Sequence, residues 1–215
     1  MNFRQYRNIE HGEYFLIGCD TSAGLGDSCT AQFLSRTKLD VPLVFHERVL
    51  LNDMTNALLP VLEKIYSQTG IRPTIAYERN NGGVFEFERL AGLNRGNKFE
   101  LFKMPNVGKS ENPDPTRLGW DTNTATRPRM LSDLKDAVDK KLITIYDKPT
   151  INEMYSFIIT RTTSTEKAQA ERGAHDDLIM ALAIAWQLYQ IQPNRSLPSN
   201  EKRPEFQPSD NVIGI

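Results

Sequence analysis

The feature that most constrains the fold is an uninterrupted apolar run near the N-terminus, Tyr14–Cys19, which ends at Asp20. Its length and bulk are typical of a strand that is covered on both faces. Such a strand needs packed layers above and below it, and a chain of 215 residues is long enough to supply them. The run therefore predicts a layered α/β domain with this strand in the interior of its sheet.

The spacing of apolar and turn residues predicts the other elements. Two strands joined by short connections follow the apolar run, so we expect an antiparallel meander at the start of the fold. Helices and short strands then alternate, which predicts a mixed central sheet of antiparallel meander plus parallel strands, flanked by helices. The predicted strands are 28–35, 41–51, 73–77, 99–104 and 143–146, and the predicted helices are 53–68, 84–93, 127–140 and 175–191. Segment 151–160 is typical of a helix in its first half and a strand at its end, and segment 162–172 of a hairpin or loop.

Composition sets the expected domain boundaries. We expect residues 1–12 to form a polar N-terminal arm, 13–191 the folded domain, and 192–215, which hold four of the twelve prolines, a disordered tail. No apolar run approaches the ~18 residues of a transmembrane helix, and the N-terminus does not resemble a signal peptide. Lys and Arg total 26 against 27 Asp and Glu, which excludes a strongly basic nucleic-acid binder but allows a local basic surface.

Carboxylates occur where the predicted strands end and where the last helix begins. Asp20 ends the first apolar strand, Glu78 follows the strand 73–77, and Asp176 and Asp177 begin a helix that is almost wholly apolar. Each acid taken alone also fits a cap or a turn. Two adjacent acids cannot both be the cap, however, and carboxylate oxygens are the preferred ligands of Mg²⁺ and Mn²⁺. The set therefore favours a site for hard divalent cations, whereas three His and two Cys without ligand spacing make zinc a poor candidate.

Three motifs carry a resemblance to a known family. Gly18–Ser28, Tyr77–Gly83 and Gly173–Leu178 resemble, in order and spacing, motifs of the nuclease domain of tailed-phage terminase large subunits. The resemblance covers about residues 14–190 and implies an RNase H-like fold with a mixed five-stranded core sheet flanked by helices. It also implies an endodeoxyribonuclease that cuts concatemeric viral DNA during genome packaging by two-metal phosphodiester hydrolysis.

The resemblance assigns a role to each acid. Asp20 corresponds to the ligand that bridges two divalent cations, Mg²⁺ or Mn²⁺, and Glu78 to the acid of the second motif, where many relatives carry Asp. Asp176 and Asp177 correspond to the acids of the third motif, and which of the two contacts metal is left open. His175 lies beside them, and we expect it to orient an acid rather than to bind metal.

The resemblance also names partners. It implies double-stranded DNA, a terminase ATPase domain, the small terminase subunit and the portal, with the cytoplasm of the infected bacterial host as the location; we expect no membrane partner. The segment Gly108–Ser110 is not a phosphate-binding loop, because Lys103 stands where that motif needs its first glycine. We therefore expect no ATPase domain in this chain.

Basic side chains in and around a long loop are the candidates for DNA contacts. Between Arg95 and Arg129 there are seven Lys and Arg against four acids, and such a surplus binds phosphates without reading sequence. The loop 106–126 is rich in turn residues, which predicts a mobile flap in which Trp120 either stacks on a base or anchors the loop. The alternative is a solvent-exposed loop that has no role in DNA binding. The candidate DNA-binding residues are Lys103, Lys109, Arg117, Arg127, Arg129, Lys167 and Arg172.

Other functions share some of these features. A junction resolvase or a transposase-like nuclease would have the same fold and the same kind of acidic site. A strand ending in Asp before a glycine-rich turn also opens ATPase domains of the actin and sugar-kinase type, but those need a second phosphate turn and a longer chain. A non-catalytic portal-docking module with a vestigial site is the remaining alternative.

Overall fold

The computed structural model describes residues 3–21, 28–104, 117–162, 165–170 and 176–197, with only the backbone described for residues 156–170. The strands are β1 (Phe3–Gln5), β2 (Phe15–Asp20), β3 (Cys29–Ser35), β4 (Asp40–Glu47), β5 (Thr74–Tyr77), β6 (Glu100–Leu101), β7 (Thr144–Ile145), β8 (Phe157–Thr162) and β9 (Thr165–Ala170). The helices are α1 (Leu51–Thr69), α2 (Gly83–Leu93), α3 (Thr126–Asp139), α4 (Lys148–Ser156) and α5 (Asp177–Ile191).

Seven strands form one mixed sheet. Its order is β1-β4-β3-β2-β5-β6, and β7 pairs with β4 in parallel at the same edge as β1. The pairs from β1 to β2 are antiparallel, and β2, β5 and β6 are parallel. The predicted meander and mixed sheet are therefore confirmed, with β2 in the interior. The strands β8 and β9 form a separate hairpin.

Alternate side chains of β2 enter two different cores, as a strand covered on both faces requires. Leu16 belongs to the core beneath α3 and α5, whereas Phe15 and Ile17 belong to the core beneath α1 and α2. All six residues of β2 are buried. The sheet is thus the middle of three layers, and the carboxyl end of β2 emerges between the helical layers.

Helix α5 lies directly on β2 because the strand offers no side chain at the crossing. A Cβ atom on Gly18 would lie 2.1 Å from the Ala181 carbonyl oxygen and 2.5 Å from the Ala185 amide nitrogen. The helix is buried continuously from Leu178 to Leu188, in keeping with its apolar sequence. Gly18 therefore sets the height of α5 above the sheet, and with it the position of the acids at its start.

Helix boundaries follow the sequence except at the start of α1. The predicted cap Asp53 lies in the first turn, and the residue at the cap position is Leu50. Pro60 lies inside the helix, so it does not mark the helix start. The predicted C-terminal stop is correct, because Gly70 adopts a φ of 73° and its amide donates to the Tyr66 carbonyl at 2.8 Å.

Both segments outside the predicted domain contribute to packing. Residues 3–5 form β1, and the Arg4 guanidinium pairs with the buried Asp147 carboxylate at 2.6 Å. At the other end, Arg195 pairs with Glu100 and lies over the ring of Tyr14 at 5.5 Å. Residues 198–215 of the predicted tail lie outside the described residues.

Candidate active site

The site is built around two acids at the carboxyl ends of neighbouring parallel strands. Cys19 of β2 is in register with Tyr77 of β5, so the next residue of each strand is an acid, Asp20 and Glu78. The Glu78 amide donates to the Cys19 carbonyl at 2.8 Å, which extends the ladder to the acids themselves. Only 9% of Asp20 and 6% of Glu78 are exposed. The structure therefore brings together the two acids that the sequence placed at strand ends.

The surroundings of Asp20 disfavour its charged form. Burial, the hydrogen bond to Glu78 and the nearby negative charges raise the pKa of Asp20 well above its usual value. Among the described residues, no Lys or Arg forms an ion pair with either acid. Ionisation of Asp20 is therefore unfavourable in the absence of a cation.

The segment after Glu78 orients its carboxylate. The Asn80 side-chain amide donates to Glu78 Oε1 at 3.3 Å and to the Thr122 carbonyl at 3.2 Å. The Thr21 hydroxyl in turn donates to the Asn80 carbonyl at 3.0 Å. A Cβ atom on Gly83 would lie 1.9 Å from the Glu78 carbonyl oxygen, so only glycine allows α2 to start this close. The Glu78 side chain is thus held by a compact turn that is tied to the end of β2.

The adjacent acids of the third motif have different surroundings. Asp176 precedes α5 and its carboxylate forms an ion pair with Arg127 of α3. Asp177 is the first residue of α5, and its Oδ2 accepts a hydrogen bond from the Ser28 amide at 3.4 Å. The charge of Asp177 also raises the pKa of Asp20 more than that of Asp176 does. The structure therefore directs Asp177 toward Asp20 and engages Asp176 with Arg127.

Polar groups without partners flank the acid pair in the same row of the sheet. Thr30 of β3 is in register with Asp20, and Trp120 forms a parallel bridge with Glu78 on the other side. Within the described part of the chain, Thr30 Oγ1 and Trp120 Nε1 are buried without a hydrogen-bond partner. Buried polar groups are normally paired, so their position fits a site that is completed by a hydrated ion.

The oxygen atoms of these acids suit a hard cation, but the side chains are not already gathered around one point. The acids supply only oxygen atoms, as Mg²⁺ and Mn²⁺ prefer. In the described residues, however, no three acidic, His or Cys side chains are gathered in the manner of a metal site. Mutual repulsion of neighbouring carboxylates is a sufficient cause, because like charges at close range disfavour one another.

Glu153 of α4 is a further acid of the site that sequence reasoning missed. Its Oε1 accepts a hydrogen bond from the Ile179 amide at 2.8 Å. Burial, together with the charges of Asp177 and Asp176, raises the pKa of Glu153 to about 8, although the hydrogen bond from Ile179 acts in the opposite direction. The sequence predicts a helix only for the first half of segment 151–160. In the structure the Asp147 carboxylate caps a helix that begins at Lys148.

The candidate DNA-binding residues divide into three groups. Lys103 and Arg117 are exposed and lie close together, because the Met104 amide donates to the Arg117 carbonyl at 3.0 Å. Arg129 is exposed, but Arg127 is engaged by Asp176, so the structure does not present it as a free phosphate contact. Of the remaining candidates, Lys167 lies in β9, where only the backbone is described, and Lys109, Arg172 and His175 lie outside the described residues.

The second half of the predicted mobile flap is in fact fixed. Trp120 is buried and stacks on Phe102 with the ring centroids 6.0 Å apart, so it anchors the chain. The Trp120 amide donates to the Tyr77 carbonyl at 2.8 Å, and the Gly119 amide donates to the Phe102 carbonyl at 2.9 Å. The flap prediction is therefore wrong for residues 117–126, and residues 105–116 lie outside the described residues. No helix in the described part of the chain is long and apolar enough to span a bilayer.

Comparisons with known proteins agree with this architecture. No family model matches the chain, and no curated protein matches it by sequence. Among solved structures it is similar to the large terminase nuclease from thermophilic phage G20c, with a TM-score of 0.59, 20% identity and 86% of each chain covered. It is similar to the large terminase nuclease domain of Thermus phage P74-26, with a TM-score of 0.59 and 16% identity over 88% of this chain and 85% of that one.

A eukaryotic viral protein shares the same fold. The human cytomegalovirus terminase nuclease domain matches with a TM-score of 0.52 and 14% identity, over 82% of this chain and 83% of that one. At such identities the likeness shows the fold. The resemblance first carried by three short motifs thus extends to the whole architecture, and the chain has the RNase H-like fold of large terminase nuclease domains.

Proposed function

We propose that this chain is a divalent-metal-dependent DNA endonuclease of viral genome packaging. The observation that carries the proposal is the buried pair Asp20 and Glu78, which lies at the carboxyl ends of two neighbouring parallel strands. A buried acid pair without a positive partner among the described residues destabilises a fold, and a divalent cation removes that cost. The fold that this chain shares with viral terminase nucleases supports the proposed nuclease function.

The cofactor in this proposal is a pair of Mg²⁺ or Mn²⁺ ions. The phage G20c nuclease has been solved with bound magnesium, and the cytomegalovirus nuclease domain after a manganese soak. In the present chain Asp20, Glu78 and Asp177 are the residues that would hold the ions. When bound, two such ions would activate the attacking water and stabilise the leaving oxygen of a phosphodiester.

The protein's own groups prepare that chemistry. Asp20 must release its proton to hold a cation, so metal binding and deprotonation of Asp20 are linked. Asn80 keeps the Glu78 carboxylate in place, and Asp177 approaches from the start of α5. Asp176 is engaged with Arg127, which supports Asp177 as the acid of this pair that would contact metal.

The substrate proposed is concatemeric double-stranded DNA that is cut with little sequence preference. The exposed Lys103 and Arg117 contact phosphate rather than base edges, and Arg129, Lys109, Lys167 and Arg172 remain candidates for the same role. The proposed partners are a terminase ATPase domain, the small terminase subunit and the portal. The proposed location is the cytoplasm of the infected bacterial host.

Cleavage of supercoiled plasmid tests the proposal. We expect nicking with Mn²⁺ or Mg²⁺ and none with EDTA. Asp20→Asn keeps the shape of the side chain but removes the charge, so its cleavage rate should fall at least about a hundredfold. Asp139→Asn, the same substitution at an exposed residue of α3, is the matched control and should cut like the wild type. Nicking that persists in EDTA would overturn the metal-dependent mechanism.

A second substrate pair separates this function from junction resolution. Linear duplex and four-way junction DNA of equal length are compared at the same Mn²⁺ concentration. A packaging nuclease is expected to cut both at similar rates, whereas a strong preference for the junction would favour a resolvase.

A further inference from the structure

We propose that Glu153 is a positioning residue that caps α5 from a neighbouring helix and thereby fixes the helix turn that carries Asp177. The inference rests on the proposed function, because its consequence is the placement of Asp177 in the metal site. It assigns a role to an acid that lies on α4, outside the three acidic motifs.

The start of α5 lacks the cap that its sequence offers. The first turn of a helix has amide groups without intrahelical acceptors, and an Asp at the cap position normally accepts from one of them. Asp176 occupies that position but makes no capping hydrogen bond. Its carboxylate is engaged by Arg127 instead.

Glu153 supplies the missing acceptor from outside the helix. Its Oε1 accepts from the Ile179 amide at 2.8 Å, and Ile179 is the third residue of α5, the amide that a capping side chain usually satisfies. The cap at the Ile179 amide is thus provided by a side chain of α4.

Helix α4, which carries Glu153, is itself held in place by buried hydrogen bonds. The Thr150 amide and hydroxyl both donate to the buried Asp147 carboxylate, at 2.9 and 2.7 Å, which caps α4. The buried Gln32 of β3 donates to Thr150 Oγ1 at 2.9 Å and to the Leu178 carbonyl at 3.3 Å. One buried side chain therefore ties α4 and the first turn of α5 to the same strand.

The cap affects the position of the neighbouring acid, Asp177. Asp177 lies between the cap position and two backbone groups that are held from outside the helix, the Leu178 carbonyl by Gln32 and the Ile179 amide by Glu153. The direction of the Asp177 side chain therefore depends on the geometry of this turn. If the turn frays, Asp177 loses its approach to Asp20. Outer groups of this kind typically change metal affinity by about tenfold to a hundredfold.

The test compares Glu153→Gln with Glu153→Ala in the full chain. The amide oxygen of Gln can still accept from Ile179, whereas Ala cannot. We expect Glu153→Ala to weaken Mn²⁺ binding about tenfold, measured as free Mn²⁺ by electron paramagnetic resonance, and Glu153→Gln to stay within about threefold of the wild type. Glu88→Ala, the same truncation at an exposed residue of α2, should bind Mn²⁺ like the wild type.

A second readout does not involve metal. Hydrogen exchange at the Ile179 amide should be at least about tenfold faster in Glu153→Ala than in the wild type, and unchanged in Glu153→Gln. If Glu153→Ala does not fold, Gln32→Met replaces it, since that variant keeps an apolar side chain of similar length and loses the hold on Leu178. It should show the same loss of Mn²⁺ affinity.

Three results would overturn the inference. Normal Mn²⁺ affinity in Glu153→Ala would show that the cap serves stability alone. Equal losses in Glu153→Gln and Glu153→Ala would show that the charge binds the ion directly. Unchanged exchange at Ile179 in Glu153→Ala would show that Glu153 is not the cap, whereas a wild type that binds no Mn²⁺ would overturn the proposed function as well.

Discussion

At the scale of single residues, the burial of Asp20 beside Glu78 makes the proposed metal binding a stability effect. A cation that binds only the folded state stabilises it by about 2.7 kcal/mol at a hundred times its Kd. For a chain of this size that corresponds to a rise in Tm of about 5–10 °C. We expect this rise in the wild type with saturating Mn²⁺, measured by circular dichroism, and little or none in Asp20→Asn. The control Asp139→Asn should respond like the wild type, and an equal rise in Asp20→Asn would contradict the assignment.

Asp147 gives a residue-scale prediction about pH. Burial alone would raise its pKa, but hydrogen bonds from Arg4, Tyr6 and Thr150 outweigh burial and lower the pKa to about 2. The unfolded value is about 3.9, so the stabilisation is complete above pH 4 and is lost as the pH falls toward 2. Asp147→Asn should therefore be less stable than the wild type at pH 7 by about 1.5–3 kcal/mol. Urea unfolding should show this gap narrowing between pH 4 and pH 3, and a constant gap would refute the explanation.

Some site residues were accessible from sequence and others were not. Asp20 and Glu78 follow apolar strands, and the ends of parallel strands share one edge of a sheet, so their proximity follows from local patterns. The capping role of Glu153 and the ion pair between Arg127 and Asp176 depend on how α4 and α3 pack on α5. No local pattern encodes those contacts between residues far apart in the chain.

At the scale of elements, the contact of α5 with β2 predicts a sharp difference between two glycines. Gly18→Ala places a Cβ against backbone atoms of α5, which cannot move without lifting the helix. We expect a loss of about 3 kcal/mol or more in the free energy of unfolding, with a matching loss of cleavage. Gly92→Ala in α2 has nothing within 4 Å and should be neutral or stabilising by up to about 1 kcal/mol. Chemical denaturation of both variants measures the contrast, and equal stabilities would contradict it.

The ordered segments that the sequence pattern does not predict share one property, the lack of a clear apolar pattern. The helices and the strands β2 to β5 have strong periodicity or continuous apolar runs, and their bounds were predicted within a few residues apart from the end of β4. Strand β1 and the bridges at Leu118, Gly119 and Trp120 are short and polar or irregular. They are ordered because a neighbouring strand offers free hydrogen-bonding groups, which is a property of the partner rather than of the segment itself.

At the scale of the whole molecule, the net charge of −1 gives no overall attraction for DNA, so DNA binding depends on local basic surface. Lys103 and Arg117 lie on adjoining backbone segments near the site. Each phosphate contact contributes about 0.9 to the slope of log affinity against log salt. Neutralising both residues should therefore flatten the slope for duplex DNA by about 2 and leave Mn²⁺ binding unchanged. Neutralising Lys135 and Lys140, at the far end of α3, is the matched control, and equal slopes in the two double variants would remove Lys103 and Arg117 from the DNA surface.

The position of α5 above β2 also decides when the proposed active site is completed during folding. Asp20 belongs to a meander of consecutive strands, which can form from local contacts soon after it is made. Asp177 comes about 150 positions later and reaches Asp20 only when α5 docks on strands that already exist. Helices that close such long loops belong to the late steps of folding. A partly synthesised or partly folded chain therefore holds one half of its acids without the other, and nicking activity should appear in a single step with the burial of Trp186 on α5.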